Sequence, residues 1–341
     1  MKAFGRYLAY RLKHSALKTV LFALVSLLIT QTAVVEQISY SDLEFRSAGL
    51  SAQATVLFIL CMLIPMLELA PFKNRRNLDT LYFFPIKRSG MALATYISGF
   101  VQVVAVYSVT FFTAWIYLAL KTDYFALQYM LPYYLLSLLV GLGTYSFFTF
   151  IFCQANTVVD GVLFCLVWFE MIYLVMATFL NFNIFNEIPS RLEAVIQEWG
   201  LAYSPINNLT VIFQDLIEIN QNVSYSDYYS YADYYRQLWY FFVIWGAVGI
   251  ASACGYFVTF AKRGAEKTGE ISNSWFGYKT IIPICGYCLM LLMGEITVLT
   301  FALIALMVVG YIIYRRGFRF KLPDYLLTGG ALIMAFLGAM L

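Results

Sequence analysis

Charged residues are scarce in this sequence, and histidine is nearly missing from it. Asp, Glu, Lys and Arg make up 12% of the 341 residues and hydrophobic residues make up 62%, whereas a soluble domain has about a quarter and about half. This composition excludes an ordinary soluble domain and predicts a membrane protein. The one histidine, His14, leaves no histidine-based metal site and no Ser/His/Asp or Cys/His arrangement. We therefore expect no catalytic residue and no metal site on this chain.

The sequence also lacks a phosphate-binding loop. No segment follows the G-x-x-x-x-G-K-[ST] pattern, and the nearest stretch, Gly-Ala-Glu-Lys-Thr-Gly at residues 264–269, has the wrong order to hold phosphates. The chain is therefore not expected to hydrolyse ATP by itself. Its six cysteines all lie in apolar runs, which favours packing as small apolar side chains over a disulfide framework.

Long apolar runs, in contrast, are abundant. A helix rises 1.5 Å per residue, so about 17 to 25 uncharged residues cross a hydrocarbon core of about 30 Å. The sequence has six such runs, and three further apolar segments follow them. Gly294 and Glu295 divide residues 281–314 into two segments, which predicts a short hairpin, and residues 326–341 form the third. That last run either continues in a longer native chain or ends at a shallow depth. The six runs of spanning length are residues 17–34, 50–70, 91–120, 129–153, 158–180 and 238–261.

Lys and Arg are distributed unevenly between the loops. If the amino terminus lies in the cytoplasm, eighteen of the 22 basic residues fall in residues 2–18, 71–90, 262–279 and 315–321, on the cytoplasmic side. Short loops rich in Lys and Arg stay in the cytoplasm. The pattern therefore predicts a cytoplasmic amino terminus.

Residues 2–14 carry basic side chains on one helical face and apolar side chains on the other. This pattern predicts an amino-terminal elbow helix in the membrane interface. A basic flank of the first span is an equal alternative, because Arg11 falls on the apolar face.

Residues 181–237 form the longest polar segment, on the exterior by the predicted orientation. Two amphipathic stretches within it predict helices that dip into the outer leaflet. The first carries Leu192, Val195 and Trp199 on one face, and the second carries Leu209, Ile212, Phe213 and Leu216.

The loop of residues 71–90 combines basic residues, aromatic residues and a short helical pattern. Leu78, Leu81 and Tyr82 recur at helical spacing, and Pro85 ends the helix before a basic turn. The loop therefore presents an apolar ridge to the cytoplasm. The ridge either docks a partner or folds back on the membrane surface.

Two short motifs resemble a known family. Phe84-Pro-Ile-Lys-Arg-Ser, followed by Thr95-Tyr-Ile-Ser-Gly, is similar to the signature that opens span three in permeases of the ABC-2 exporter family. Residues 262–270 resemble the Arg-x-x-Glu-x-Ala-Gly element after span six in the Firmicute branch with Ytr-type permeases. The resemblance covers about residues 1–279. Departures are Phe84 for the usual Leu, Thr95 for a common Lys, and the three extra carboxyl-terminal segments.

The resemblance implies an all-α integral membrane protein with an ABC-2 type six-span core at residues 1–261. A cytoplasmic basic loop at 262–279 and additional membrane segments at 280–341 would follow. The chain would be the permease subunit of an ATP-driven exporter in the bacterial plasma membrane, moving a hydrophobic or amphipathic cargo such as a peptide, antibiotic or lipid-linked compound outward. Its partners would be a cytoplasmic ATPase dimer, which holds ATP and Mg, and a second permease subunit of the same or a paralogous kind. No cofactor on this chain and no nucleic acid is implied.

The same resemblance assigns roles to the two loop segments. The loop between spans two and three would couple the permease to the ATPase, with Lys87 and Arg88 near lipid phosphates. The exterior helices would form a gate, with Leu192, Val195, Trp199 and Phe213 as candidates. The coupling residues would be Asn77, Leu78, Asp79, Thr80, Leu81, Tyr82, Pro85, Lys87 and Arg88.

Two acids inside the apolar runs need partners. Glu170 lies near the middle of predicted span five, where an acid costs about 2.5–3.5 kcal/mol, so it is either a pathway residue or hydrogen-bonded to a Tyr or Trp. Glu68 is expected to pair with Lys73 or Arg75, close in sequence. Small residues of span six, Ala247, Ala251 and Gly255, predict close helix packing.

Two other functions remain open from the sequence. A secondary transporter would have inverted repeats and several buried charges, and no such symmetry is found. A membrane immunity or sensor protein would bind an antimicrobial peptide through residues 181–237 without transporting it.

Overall fold

Helices account for every regular element in the described part of the chain. The computed structural model describes residues 2–40, 48–77, 86–121, 127–181, 205–206, 209–210, 212–213, 231–262, 268–292, 298–318 and 320–340. The long helices are α1 (Lys2–Tyr40), α2 (Ala48–Leu69), α3 (Arg88–Lys121), α4 (Leu127–Gln154), α5 (Val158–Asn181), α6 (Tyr231–Lys262), α7 (Tyr278–Leu292), α8 (Val298–Arg315) and α9 (Leu322–Met340). A 3₁₀ turn at Ala70–Lys73 follows α2.

Among the described residues, five helices are long and apolar enough to cross a membrane: α1, α2, α3, α4 and α8. A multi-pass, all-helical membrane protein is therefore confirmed. Helices α5 and α6 contain predicted spans five and six, and α6 begins seven residues before the predicted span. Helix α7 is apolar but shorter. The six-span ABC-2 type core stays a prediction.

The predicted amino-terminal elbow helix is wrong. Helix α1 runs without interruption from Lys2 to Tyr40, so residues 2–14 are the basic start of the first membrane helix and not a separate interfacial helix. No glycine or proline follows Gly5 in α1, and nothing in this stretch therefore breaks the hydrogen-bond ladder.

Contacts divide the chain into two compact units. The first comprises Met1–Phe72, Arg76–Phe150 and Ser204–Gly264, and the second comprises Lys73–Arg75, Ile151–Tyr203 and Ala265–Leu341. Helix α5, predicted as part of the six-span core, belongs to the second unit by its contacts. The predicted boundaries at 261 and 279 stay a prediction.

The first unit is built around α3. Helix α3 packs against α1, α2 and α6, and its buried face carries Val106, Tyr107 and Phe111. The Tyr107 hydroxyl lies 2.9 Å from the Ser137 hydroxyl of α4, so a buried polar group on α3 has a partner inside the bundle. Side chains from α2 and α4 complete the same core, including Leu57 on α2.

Helices α4 and α6 touch through a pair of glycines. A Cβ added to Gly249 would lie 2.7 Å from the Cα of Gly143, so the two backbones are in direct contact. Small residues permit this approach in membrane helices. Of the three small residues predicted to pack closely in span six, Gly255 does so, since a Cβ there would lie 2.7 Å from Phe150 Cε2 of α4, whereas Ala247 and Ala251 are exposed.

Gly249→Ala is expected to lower the free energy of unfolding by about 1–3 kcal/mol, because the new Cβ would press on a backbone atom that cannot rotate away. Gly246→Ala is the matched control, since its Cβ would meet nothing within 4 Å and alanine favours a helix by about 1 kcal/mol. Thermal unfolding in detergent measures both variants. Equal transition midpoints would contradict the glycine contact.

The second unit contains α5 and the three carboxyl-terminal helices. Helix α7 packs against α5, α8 and α9. Met290 of α7, Met307 of α8 and Ala331 of α9 are buried against one another. Two helices occupy the segment predicted as a hairpin, because α7 ends at Leu292 and α8 begins at Val298. The predicted turn at Gly294 and Glu295 lies outside the described residues.

An ion pair joins the ends of α8 and α9. The Arg315 guanidinium donates to both oxygens of Asp324, at 2.9 and 2.8 Å, and the Lys321 N–H donates to Asp324 Oδ2 at 2.9 Å. Burial opposes ionisation of Asp324, but these hydrogen bonds outweigh it and hold the pKa of this carboxyl below its usual value. Asp324 thus caps the first turn of α9 and fixes the turn after α8.

Candidate functional site

The loop between α2 and α3 was predicted as a docking segment, and its two ends are described. Asn77, Lys87 and Arg88 are exposed. The remaining predicted coupling residues, Leu78, Asp79, Thr80, Leu81, Tyr82 and Pro85, lie outside the described residues. Their role therefore stays a prediction, and the structure bears on how the loop is held at its base.

Glu68, in the last turn of α2, forms a buried ion pair with Arg11 of α1. Arg11 Nη2 lies 2.5 Å from Glu68 Oε2, and the side chains are only 10% and 4% exposed. The same nitrogen donates to the backbone oxygen of Glu68 at 3.0 Å. Arg11 Nη1 donates to the Tyr7 hydroxyl at 3.3 Å. The arginine that falls on the apolar face of α1 therefore has an acid as its partner.

The remaining oxygen of Glu68 is also occupied. The side-chain amide of Gln102 on α3 donates to Glu68 Oε1 at 3.1 Å, and Lys18 Nζ lies 4.0 Å from the same atom. The carboxylate consequently ties α1, α2 and α3 together. We call Arg11, Lys18, Glu68 and Gln102 the Glu68 cluster.

Gly99 on α3 makes room beside this cluster. A Cβ at Gly99 would collide with the Tyr145 hydroxyl and would lie 3.4 Å from Glu68 Cγ. The Tyr145 hydroxyl donates to the backbone oxygen of Tyr96 at 3.0 Å. Helix α4 thus approaches α3 at the level of the Glu68 cluster, because Gly99 carries no side chain.

The expected pairing of Glu68 with Lys73 or Arg75 is wrong. Lys73 is 5% exposed, and its ammonium donates to the backbone oxygens of Phe152, at 2.7 Å, and Ala155. Phe152 lies in the last turn of α4 and Ala155 directly follows the helix, where backbone oxygens lack intrahelical donors and the helix dipole is negative. The end of α4 attracts the Lys73 ammonium, and Glu68 pairs with Arg11 instead.

Arg75 and the segment after α6 hold the turn between α4 and α5. Arg75 Nε donates to the backbone oxygen of Thr268 at 2.8 Å, and the Gly269 N–H donates to that of Asn156 at 3.2 Å. The Ser272 hydroxyl donates to the backbone oxygen of Gln154 at 2.7 Å. Gly269 has a φ of +86°, which favours glycine. We call Lys73, Arg75, residues 154–156 and residues 268–274 the junction cluster.

Glu170 and the gate candidates have different placements. Glu170 is exposed on α5, and within the described part of the chain no Tyr or Trp hydrogen bond to it is found. Leu192, Val195 and Trp199 lie outside the described residues. Phe213 is 7% exposed and packs edge-on against Tyr133 of α4, with ring centroids 5.3 Å apart. It is a core residue of the first unit in this structure.

The charged side chains in these clusters bind other groups of the same chain. Among the described residues, no three His, Cys, Asp or Glu side chains are placed to share a metal ion. The carboxylate of Glu68 is taken up by an arginine and an amide. These groups hold the end of α2 and the chain just before the α2–α3 loop.

Comparisons with protein-family models, with curated proteins and with solved structures found no match to this chain.

Proposed function

We propose that this chain is the permease subunit of an ATP-driven exporter of the ABC-2 type, moving a hydrophobic or amphipathic cargo outward. The observation that carries the proposal is the way the base of the α2–α3 loop is held. Buried charged contacts fix the chain just before this loop: Glu68 binds Arg11, and Lys73 binds the end of α4. The motifs and the basic loops supply the rest of the case.

A coupling loop must pass force to the helices that line a pathway. A flexible tether between a loop and its helices would absorb the movement of a motor, whereas packed and hydrogen-bonded elements transmit it. Glu68 joins the end of α2 to α1 and α3. Lys73 and Arg75 join the chain just after α2 to the end of α4 and to Thr268. Movement of the loop would therefore act on several helices at once.

The proposal assigns partners to the two sides of the membrane. The apolar ridge of Leu78, Leu81 and Tyr82 would dock on a cytoplasmic ATPase dimer, which supplies ATP and Mg. A second permease, identical or paralogous, would complete the pathway in the bacterial plasma membrane. The amino terminus would be cytoplasmic.

Leu81→Asp tests the docking role. If the ridge binds an ATPase, a charge placed on it is expected to abolish both co-purification with a co-expressed ABC ATPase and the stimulated ATP hydrolysis. Phe318→Asp is the matched control, because Phe318 is an 80% exposed apolar residue in another connection predicted to be cytoplasmic. Unchanged complex formation and hydrolysis in Leu81→Asp would refute the proposal. Cargo flux in proteoliposomes without any ATPase would favour a secondary transporter instead.

A further inference from the structure

A cavity of about 510 Å³ lies in the first unit, between α4, α6 and the described helical residues 205–206, 209–210 and 212–213. It begins beside the Gly143 and Gly249 contact, where α4 and α6 touch. One turn earlier in α6, a Cβ at Gly246 would meet nothing within 4 Å. The cavity is the space that opens there between the two helices. Its described lining includes Leu139, Val140, Phe213, Phe242 and Trp245.

The walls are almost entirely apolar. Thr144 carries the only side-chain hydroxyl in the described lining, and that hydroxyl already donates to the backbone oxygen of Val140 at 3.1 Å. A buried water needs two to four polar partners, and apolar cavities stay dry. The chemistry of the cavity therefore selects a hydrocarbon occupant.

The cavity lies at a depth where lipid acyl chains can supply that hydrocarbon. Its lining on α4 runs from Leu136 to Thr144, which is about 14 to 26 Å along this helix of membrane-spanning length from Leu127. Leu136 and Leu139 also face outward, 43% and 68% exposed. The mouth of the cavity is bordered by side chains that meet lipid tails in a bilayer.

The volume fits one chain. A cavity of about 150 Å³ holds a benzene molecule, so about 510 Å³ accommodates about three such groups, or about twenty carbon atoms. This is the size of a single acyl chain and is too small for the two chains of a phospholipid together.

We propose that this cavity binds one acyl chain of a phospholipid from the surrounding bilayer, between α4 and α6. Filling the space restores the dispersion contacts that an empty cavity would lose. The occupant also holds Thr210 and Phe213 against α4, where Phe213 packs on Tyr133 and the Thr210 hydroxyl lies 2.9 Å from the Tyr133 hydroxyl. The proposal does not depend on export by the chain.

A photoreactive lipid tests this. The protein is reconstituted in vesicles of phosphatidylethanolamine and phosphatidylglycerol, with a small fraction of phosphatidylglycerol that carries a diazirine near the end of one acyl chain. After illumination, peptide mass spectrometry maps the inserted lipid. Label is expected on Phe213, which is only 7% exposed, in addition to the lipid-facing leucines of α4.

Gly246→Phe fills the cavity and is expected to remove most of the label from Phe213, while Leu135, 57% exposed on α4, stays labelled. Ile250→Phe adds the same side chain to α6 at a position that is 70% exposed, and it should leave the Phe213 label unchanged. Gly246→Leu serves as a smaller filling variant if Gly246→Phe does not fold.

Two results would overturn the inference. Label confined to exposed residues such as Leu135 would show that lipid does not enter the cavity. Loss of the Phe213 label on adding an excess of a lipidated peptide would assign the cavity to cargo instead of a bilayer lipid.

Discussion

Glu68→Ala is expected to lower the free energy of unfolding by about 3–5 kcal/mol, because removal of one partner of a buried ion pair leaves the other charge without compensation. The Arg11 side chain is 10% exposed and lies between α1, α2 and α3, where little water can reach it. Gln102 would lose its carboxylate acceptor in the same variant. Unfolding in mixed detergent, followed by circular dichroism, measures the change.

Variants of the same pair separate loss of charge balance from loss of packing. Glu68→Gln keeps an acceptor for Arg11 but not the charge, so we expect a smaller loss than in Glu68→Ala. The double variant Arg11→Met, Glu68→Leu removes both charges and should recover most of the stability, since apolar residues of similar volume often replace a buried pair without cost. Additive losses in the double variant, or a loss below about 1 kcal/mol in Glu68→Ala, would contradict the assignment.

Helix positions followed from the sequence because they depend on local composition. Predicted residues 50–70 became α2 at Ala48–Leu69, and predicted residues 129–153 became α4 at Leu127–Gln154. An uncharged run of this length must satisfy its backbone hydrogen bonds internally when it crosses a membrane, and a helix does so. The ends differ by two residues or fewer in these two helices.

The partners of the buried charges could not be predicted from the sequence, because they depend on which helices pack against each other. Glu68 has Lys73 five residues away, and Arg11 is 57 residues away, yet Arg11 is the partner. The useful signal was the position of Arg11 on the apolar face of α1, since a charge inside a membrane protein usually faces another charge. On sequence alone, Arg11 is an irregularity of an amphipathic pattern, and Lys73 and Arg75 are the basic residues nearest to Glu68.

The partner of a close-packing glycine is equally hard to predict from the sequence. Of the predicted packing stripe of Ala247, Ala251 and Gly255, Gly255 packs against Phe150 of α4, but the direct backbone contact is made by Gly249 with Gly143. A small residue on one helix indicates close approach, and the identity of the facing residue depends on the depth and rotation of the second helix. Neither quantity is encoded by spacing along one segment.

Lys73→Met is expected to destabilise the junction cluster by about 3 kcal/mol, the upper part of the range for a hydrogen bond to a charged group. The ammonium donates to the backbone oxygens of Phe152 and Ala155, and methionine fills similar space without a donor. Lys279→Met on the exposed surface of α7 is the matched control and should change stability by less than about 0.5 kcal/mol. Hydrogen exchange of the amides of residues 150–157 locates the effect.

The same variant separates a structural role from a coupling role. If the α2–α3 loop transmits force through Lys73 to the end of α4, Lys73→Met should still bind the ATPase, because the predicted docking ridge at residues 78–82 is unchanged. Stimulation of ATP hydrolysis by cargo should then fall, since loop movement no longer reaches α4. Lys73→Arg retains a positive donor and is expected to restore part of that stimulation. Full cargo-stimulated hydrolysis in Lys73→Met, combined with faster exchange at the end of α4, would make Lys73 a helix cap with no part in coupling.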